Sequence, residues 1–124
     1  MVYLAEHPAL ALVESLANLT GSAASLPSES QLIKVEVAES VQANRVNLND
    51  LPPLWREEFG HSQEVGDAWL AEGNTALLAV PSAPSPESTN YLFNPLHPEA
   101  RRIQIEWCRW IAYDSRLLGF RERN

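Results

Sequence analysis

An α+β fold, one domain built on a mixed β-sheet with a few helices, is what this 124-residue sequence predicts, and three observations predict it. Residues 75–80 form an apolar run without polar alternation, stopped by Pro81, the signature of a strand covered on both faces. Residues 31–37 and 102–113 begin by alternating apolar with polar side chains, as half-covered strands do. Residues 8–19 instead repeat apolar residues at helical spacing. Helices precede and separate the strands, so the order is not that of a regular doubly wound fold.

Taken in order, residues 2–5 predict a short strand, and Pro8 suits the first turn of a helix running to about Leu19 and ended by Gly21. Ala9, Leu12, Leu16 and Leu19 fall on one face of that helix, while Leu10, Ala17 and Asn18 surround Glu14 on the other. Both faces are rather apolar, which predicts cover on two sides, one by the core and one by a cleft wall. A serine-rich stretch from Ser22 to Ser30 with Pro27 reads as a surface loop before the strand over 31–37. Residues 38–53 turn polar and end in Leu51-Pro52-Pro53, a loop with a proline-fixed exit that Trp55 anchors. Ser62 is positioned to cap a helix carrying Val65, Ala68, Trp69 and Leu70 and ended by Gly73, with Gly66 admitting a neighbouring backbone. After the apolar strand, residues 91–93 predict a shorter one, and Ile103, Ile105 and Trp107 alternate with Gln104 and Glu106 in the last. These last two are expected to be neighbours in one sheet.

The length supports one core, so residues 1–124 are read as a single domain without internal repeats. The apolar runs stop short of bilayer-spanning length, and no basic patch precedes the first of them, so neither a membrane span nor a secretory signal is expected. A cytoplasmic protein is the expectation. Cys108 is the single cysteine, and His7, His61 and His97 lack paired-ligand spacing, so no metal is expected and the histidines read as loop or cap residues. A net charge of -7 argues against direct nucleic-acid binding, which needs clustered cations. Arg101, Arg102, Arg109, Arg116, Arg121 and Arg123 collect near the end of the chain and read as a solvated strand edge and tail.

Three residues stand out as candidates for chemistry. Glu14 sits among Leu10, Ala11, Val13 and Ala17, where a carboxylate needs a partner or water to offset desolvation; the competing expectation is that it faces solvent opposite the Leu12-Leu16 stripe. Ser82 follows the buried strand where Pro81 fixes the backbone, so its hydroxyl can be presented at the sheet end. Pro81 and Ala83 flank it, not the glycines of a nucleophile elbow, and the competing expectation is a hydroxyl bonded to its own loop, as for Ser85 and Ser88. Tyr3 offers an aromatic face and a phenol, suited either to stacking on a ring or to core packing. Asn90 and Asn94 read as locks on loop backbone.

The stretches VYLAEHPALALVES, LPPLWR, GDAWLAEG, VPSAPSPESTNYLFNP and HPEARRIQI together resemble the RES-domain family over nearly the whole chain. That family is named for an arginine, a glutamate and a serine, and comprises toxins of bacterial Xre/RES-type toxin-antitoxin systems with a fold similar to ADP-ribosyltransferases. The resemblance implies an NAD-degrading toxin of a type II pair, cleaving the nicotinamide-ribose bond by hydrolysis or phosphorolysis. NAD is then a substrate and no cofactor is held permanently. On the matching motifs, Glu14 corresponds to the family glutamate, Ser82 to its serine, and Tyr3 to the tyrosine lining its NAD pocket. The implied partner is a cognate antitoxin carrying a DNA-binding region, so contact with nucleic acid is indirect; homodimerisation stays open.

One departure matters: the family arginine lies upstream of the VYLA-type strand, and here only Met1 and Val2 precede Tyr3. The chain is therefore expected to be a RES domain lacking its N-terminal segment, with Arg45 and Arg56 as cations that reach a pocket from elsewhere. The alternative expectation is a catalytically impaired, truncated RES domain that serves as an antitoxin-binding module. A third, a serine hydrolase using Ser82, lacks an assignable His and acid partner.

Overall fold

The computed structural model describes residues 1–18, 29–57 and 59–117, with the backbone alone for 59–62. Six strands form two sheets. In the first, β1 (Val2–Ala5), β5 (Thr89–Phe93), β4 (Leu77–Pro81) and β3 (Ala43–Arg45) lie side by side in that order. All pairs in it are antiparallel except β3 with β4, which is parallel. The second is a two-stranded ribbon of β2 (Glu29–Val37) and β6 (Ile103–Ala112). Two helices, α1 (Pro8–Ala17) and α2 (Phe59–Glu72), complete the mixed α+β architecture.

β4 is the buried centre that its unbroken apolar run predicts. Ala76, Leu77, Leu78 and Ala79 are all buried, with strands on either side taking up the backbone hydrogen bonds. Leu78 and its cross-strand partner Leu92 pack with Trp69 of α2, and Val46, Val65 and Val80 close around them. Trp69 also has a polar end to satisfy. Its indole N–H donates to Thr75 Oγ1 at 3.0 Å, and that hydroxyl donates to the Leu77 carbonyl at 2.8 Å, so the buried chain of donors ends in an acceptor.

Local signals account for the helix ends. His7 Nδ1 accepts from the Leu10 N–H at 3.0 Å, satisfying one of the orphan donors of α1, while Pro8 gives up none. His97 repeats the device for the 3-10 turn Pro98–Arg102, accepting from the Glu99 N–H. Gly73 closes α2 at φ +64, with its N–H on the Trp69 carbonyl, a conformation that favours glycine. Gly66 is not required for space: a Cβ there would meet the Leu92 and Met1 side chains at 3.4 and 3.9 Å, ordinary contact distances, and no neighbouring backbone comes as close.

Several expectations are corrected. β5 and β6 are not neighbours, because both hydrogen-bonding edges of β5 are occupied by β1 and β4, while β6 matches β2 along its length. Residues 38–53 are not all loop: β3 pairs with the free edge of β4, an attachment that three polar or small residues do not announce. Ser62 lies inside α2, which starts at Phe59, and does not cap it. On α1 the buried residue is Leu10, whereas Ala9 is exposed, so the face shared with Glu14 is the one turned inward. The helix ends at Ala17 with Asn18 as its C-cap, and Gly21, the rest of the serine-rich loop to residue 28, Arg121 and Arg123 lie outside the described residues.

The alternation expected for Ile103, Ile105 and Trp107 is also broken. Lys34 pairs with Trp107 but Val35 pairs with Ile105, so Glu106 is the extra residue of a bulge. Beyond it the ribbon keeps Ile33, Val35 and Val37 on the same face as Trp110, Cys108, Ile105 and Ile103, and puts Trp107 on the other, where Arg109 lies 4.3 Å over its ring. Much of that apolar face is open, with Ile105 63% and Trp110 70% exposed.

The buried donor chain yields a test of the core. Thr75→Val keeps the shape but strands the Trp69 N–H, and should cost about 1–3 kcal/mol in urea unfolding with the slope unchanged. A loss below a few tenths of that would show that the indole finds another partner.

Candidate functional site

Ser82 and Glu14 are brought into direct contact. The Ser82 hydroxyl donates to Glu14 Oε1 at 2.6 Å, across 68 residues of sequence. Asn90 Nδ2 donates to the same oxygen at 2.7 Å. Register explains the convergence: Ala5, Asn90 and Val80 are cross-strand partners, and Ser82 follows Val80 at the pleat repeat, so Asn90 and Ser82 emerge on one sheet face. α1 lays its Leu10-Glu14 face over that end of the sheet, and short charge-assisted bonds hold the carboxylate there.

Both donors use Oε1. Oε2 accepts no hydrogen bond from the described residues, and Glu14 lines a cleft of about 660 Å³. The volume falls in the range of small-molecule sites. Ala17, Pro53, Leu54, Arg56, Glu57, Ala83 and Pro84 contribute to its walls. The cleft wall therefore carries a carboxylate side chain from α1, a cation on the loop before α2, and exposed apolar surface from Leu54.

Ser82 itself has 0% exposure, so its hydroxyl works on Glu14 from behind. It also accepts from the Ser85 N–H at 3.2 Å, while the Ser82 N–H donates to the Ser88 carbonyl, the Ser88 N–H to the Ser85 carbonyl, and the Ser85 and Ser88 hydroxyls pair at 3.0 Å. Of the two expectations for Ser82, the bond to its own loop is met, while the hydroxyl is buried against Glu14 and not presented openly at the sheet end. Glu6 fastens the other end of the same loop, its carboxylate accepting from the Thr89 N–H at 3.0 Å. Asn94 accepts from the Leu96 N–H, the loop-locking role expected of it. Asn90 is the correction: its amide serves Glu14.

Tyr3 is not part of the cleft lining. It stands on the edge strand β1, 71% exposed, opposite Leu92 and one pleat repeat from Ala5, on the sheet face that carries Asn90. Arg56 is the residue that spacing alone could not place: it lines the cleft, and its Nε–H donates to the Ala83 carbonyl at 2.6 Å. Arg45 lies in a separate, smaller hollow of about 170 Å³ with Pro81, Glu87 and Ser88. Among the described residues no group of three or more His, Cys, Asp or Glu side chains is placed to hold a metal ion, and no helix is long and apolar enough to cross a membrane. Of the arginines near the end of the chain, Arg102 meets Ser40 and Glu99, and Arg116 forks onto Asp114, holding that exposed carboxyl down at about 2.

The chain as a whole is similar to known proteins. The model of the RES domain matches residues 1–115, and the chain belongs to the RES-domain family. It is similar to Toxin Res of Pseudomonas putida strain KT2440, 35% identical over 108 residues that cover 86% of this chain and 73% of that protein. It is equally similar to the Prs ADP-ribosylating toxin of Sphingobium sp. strain YBL2, 35% identical over 95% of this chain and 74% of the relative. Toxin Res of Yersinia enterocolitica is 32% identical over 77% of this chain and 62% of its own length.

The shared oxygen makes separable predictions for two variants. Ser82→Ala removes one donor to Glu14 and the acceptor of the Ser85 N–H, and should cost about 1–3 kcal/mol in chemical denaturation. Glu14→Gln keeps an acceptor oxygen for both donors and should cost less than about 1 kcal/mol. The reverse order would mean that the charge of Glu14, and not its geometry, holds the loop.

Proposed function

We propose that this chain is an NAD-consuming toxin that cleaves the bond between ribose and nicotinamide, with Glu14 as the catalytic carboxylate. The observation that carries the reading is the Ser82-Glu14 bond at the cleft wall, in a chain whose relatives are named toxins. ADP-ribosylation, in the name of the Sphingobium relative, breaks that same bond.

The chemistry fits the geometry. As the ribose-nitrogen bond breaks, its electron pair neutralises the pyridinium, and positive charge develops at the sugar carbon. A carboxylate fixed nearby before the reaction stabilises that charge without reorganising. Glu14 Oε2 is the oxygen available for this or for the ribose hydroxyls, since Ser82 and Asn90 occupy Oε1. Water, losing its proton to solvent, or inorganic phosphate then forms the new bond at the same carbon. Ser82 and Asn90 are positioning residues, while Leu54 offers apolar surface to a ring. In this reading Tyr3, outside the cleft lining but on the sheet face that carries Asn90, stacks on a ligand that extends past the cleft.

Incubation of the protein with NAD should release free nicotinamide, and Glu14→Gln should lower the rate by about a hundredfold or more. Asn90→Ala should lower kcat by about tenfold and, by removing one donor to Glu14, lower the melting temperature by a few degrees. Products run with and without phosphate separate phosphorolysis from hydrolysis. Equal nicotinamide release by the Gln variant would remove Glu14 from the mechanism.

A second reading, a non-catalytic module that binds an antitoxin with a DNA-binding region, is favoured by the open apolar face of β2 and β6. It predicts co-purification with the product of the adjacent gene, lost on Trp110→Arg, and no loss of NAD. Retention of the partner by that variant would count against this face.

A further inference from the structure

We propose that Arg56 is the residue that holds the diphosphate bridge of the substrate, an assignment that rests on the NAD reading for the identity of the ligand. Arg56 lines the cleft that Glu14 lines, and it is the basic side chain among those lining residues. Among the described residues its guanidinium is held through one N–H: Nε donates to the Ala83 carbonyl at 2.6 Å, and no described residue takes up the N–H groups of the two terminal nitrogens. No carboxylate ion-pairs with it among the described residues, although Glu57 shares the cleft wall. A planar fork anchored at its base and free at its tip is the geometry that accepts two phosphate oxygens.

The anchor ties this cation to the catalytic carboxylate. Ser82 holds Glu14 and the next residue, Ala83, holds Arg56, so consecutive residues of one loop set the two opposite charges of the cleft. A dinucleotide has the matching polarity, with neutral ribose hydroxyls beside a doubly anionic bridge. Repulsion from Glu14 keeps phosphate off the α1 wall, and Arg56 draws it to the other.

Calorimetric titration tests this with three probes: inorganic pyrophosphate, NAD, and nicotinamide riboside, which lacks phosphate. Arg56→Gln should weaken pyrophosphate and NAD binding by about tenfold or more and leave the riboside unchanged, with Arg56→Lys falling between. Failure of the wild-type protein to bind pyrophosphate, or equal binding by the Gln variant, would overturn the assignment. So would an equal loss for all three probes, because it would show that Arg56 acts only by bracing the Ala83 loop. Arg56-dependent pyrophosphate binding without nicotinamide release would keep the anion site and reject the NAD reading instead.

Discussion

A buried hydroxyl donating to one oxygen of a carboxylate is the interaction on which the site depends. Burying part of a carboxylate is costly unless donors replace water, and here a serine and an asparagine do so from a single sheet face. Both reach the same oxygen, and no donor among the described residues reaches the other. The arrangement converts a structural requirement, satisfaction of Glu14, into a chemical one, an anion held in a fixed place with one lone-pair edge unspent.

The fold serves that arrangement economically. β4 is buried from Leu77 to Ala79 and ends at Pro81, so the buried Ser82 follows it at a defined point. The connection from there to β5 is fastened by its own backbone and hydroxyl bonds, closing on Ser88. α1 needs to bring only one side chain to that point, and its turned-in face, marked by Leu10, aligns Glu14 with it. The two partners of the charged group therefore come from the residue that follows the buried strand β4 and from its neighbour β5.

Much of this was legible in the residues. The buried strand, the proline at its end, the helix after Pro8 and the two alternating strands each carry a local physical signal, and the structure places all of them. Glu14 and Ser82 were found by motif, and their contact follows from elements that the sequence does announce. What remained hidden depends on partners distant in the chain. β3 is a strand because β4 offers it an edge, and Asn90 looks like any loop asparagine until register sets it beside Glu14. Arg56 belongs to the cleft because the Ala83 carbonyl reaches it, a fact with no trace in spacing.

The bulge at Glu106 carries a consequence for recognition. Ile105 and Trp110 share a surface only because one additional residue rotates half of the ribbon by a pleat. Chain length between Ile105 and Trp107 thus decides whether the outside world meets a greasy sheet or a charged one. In relatives that gain or lose a single residue there, discrimination between docking molecules can change without any substitution of the side chains that touch them.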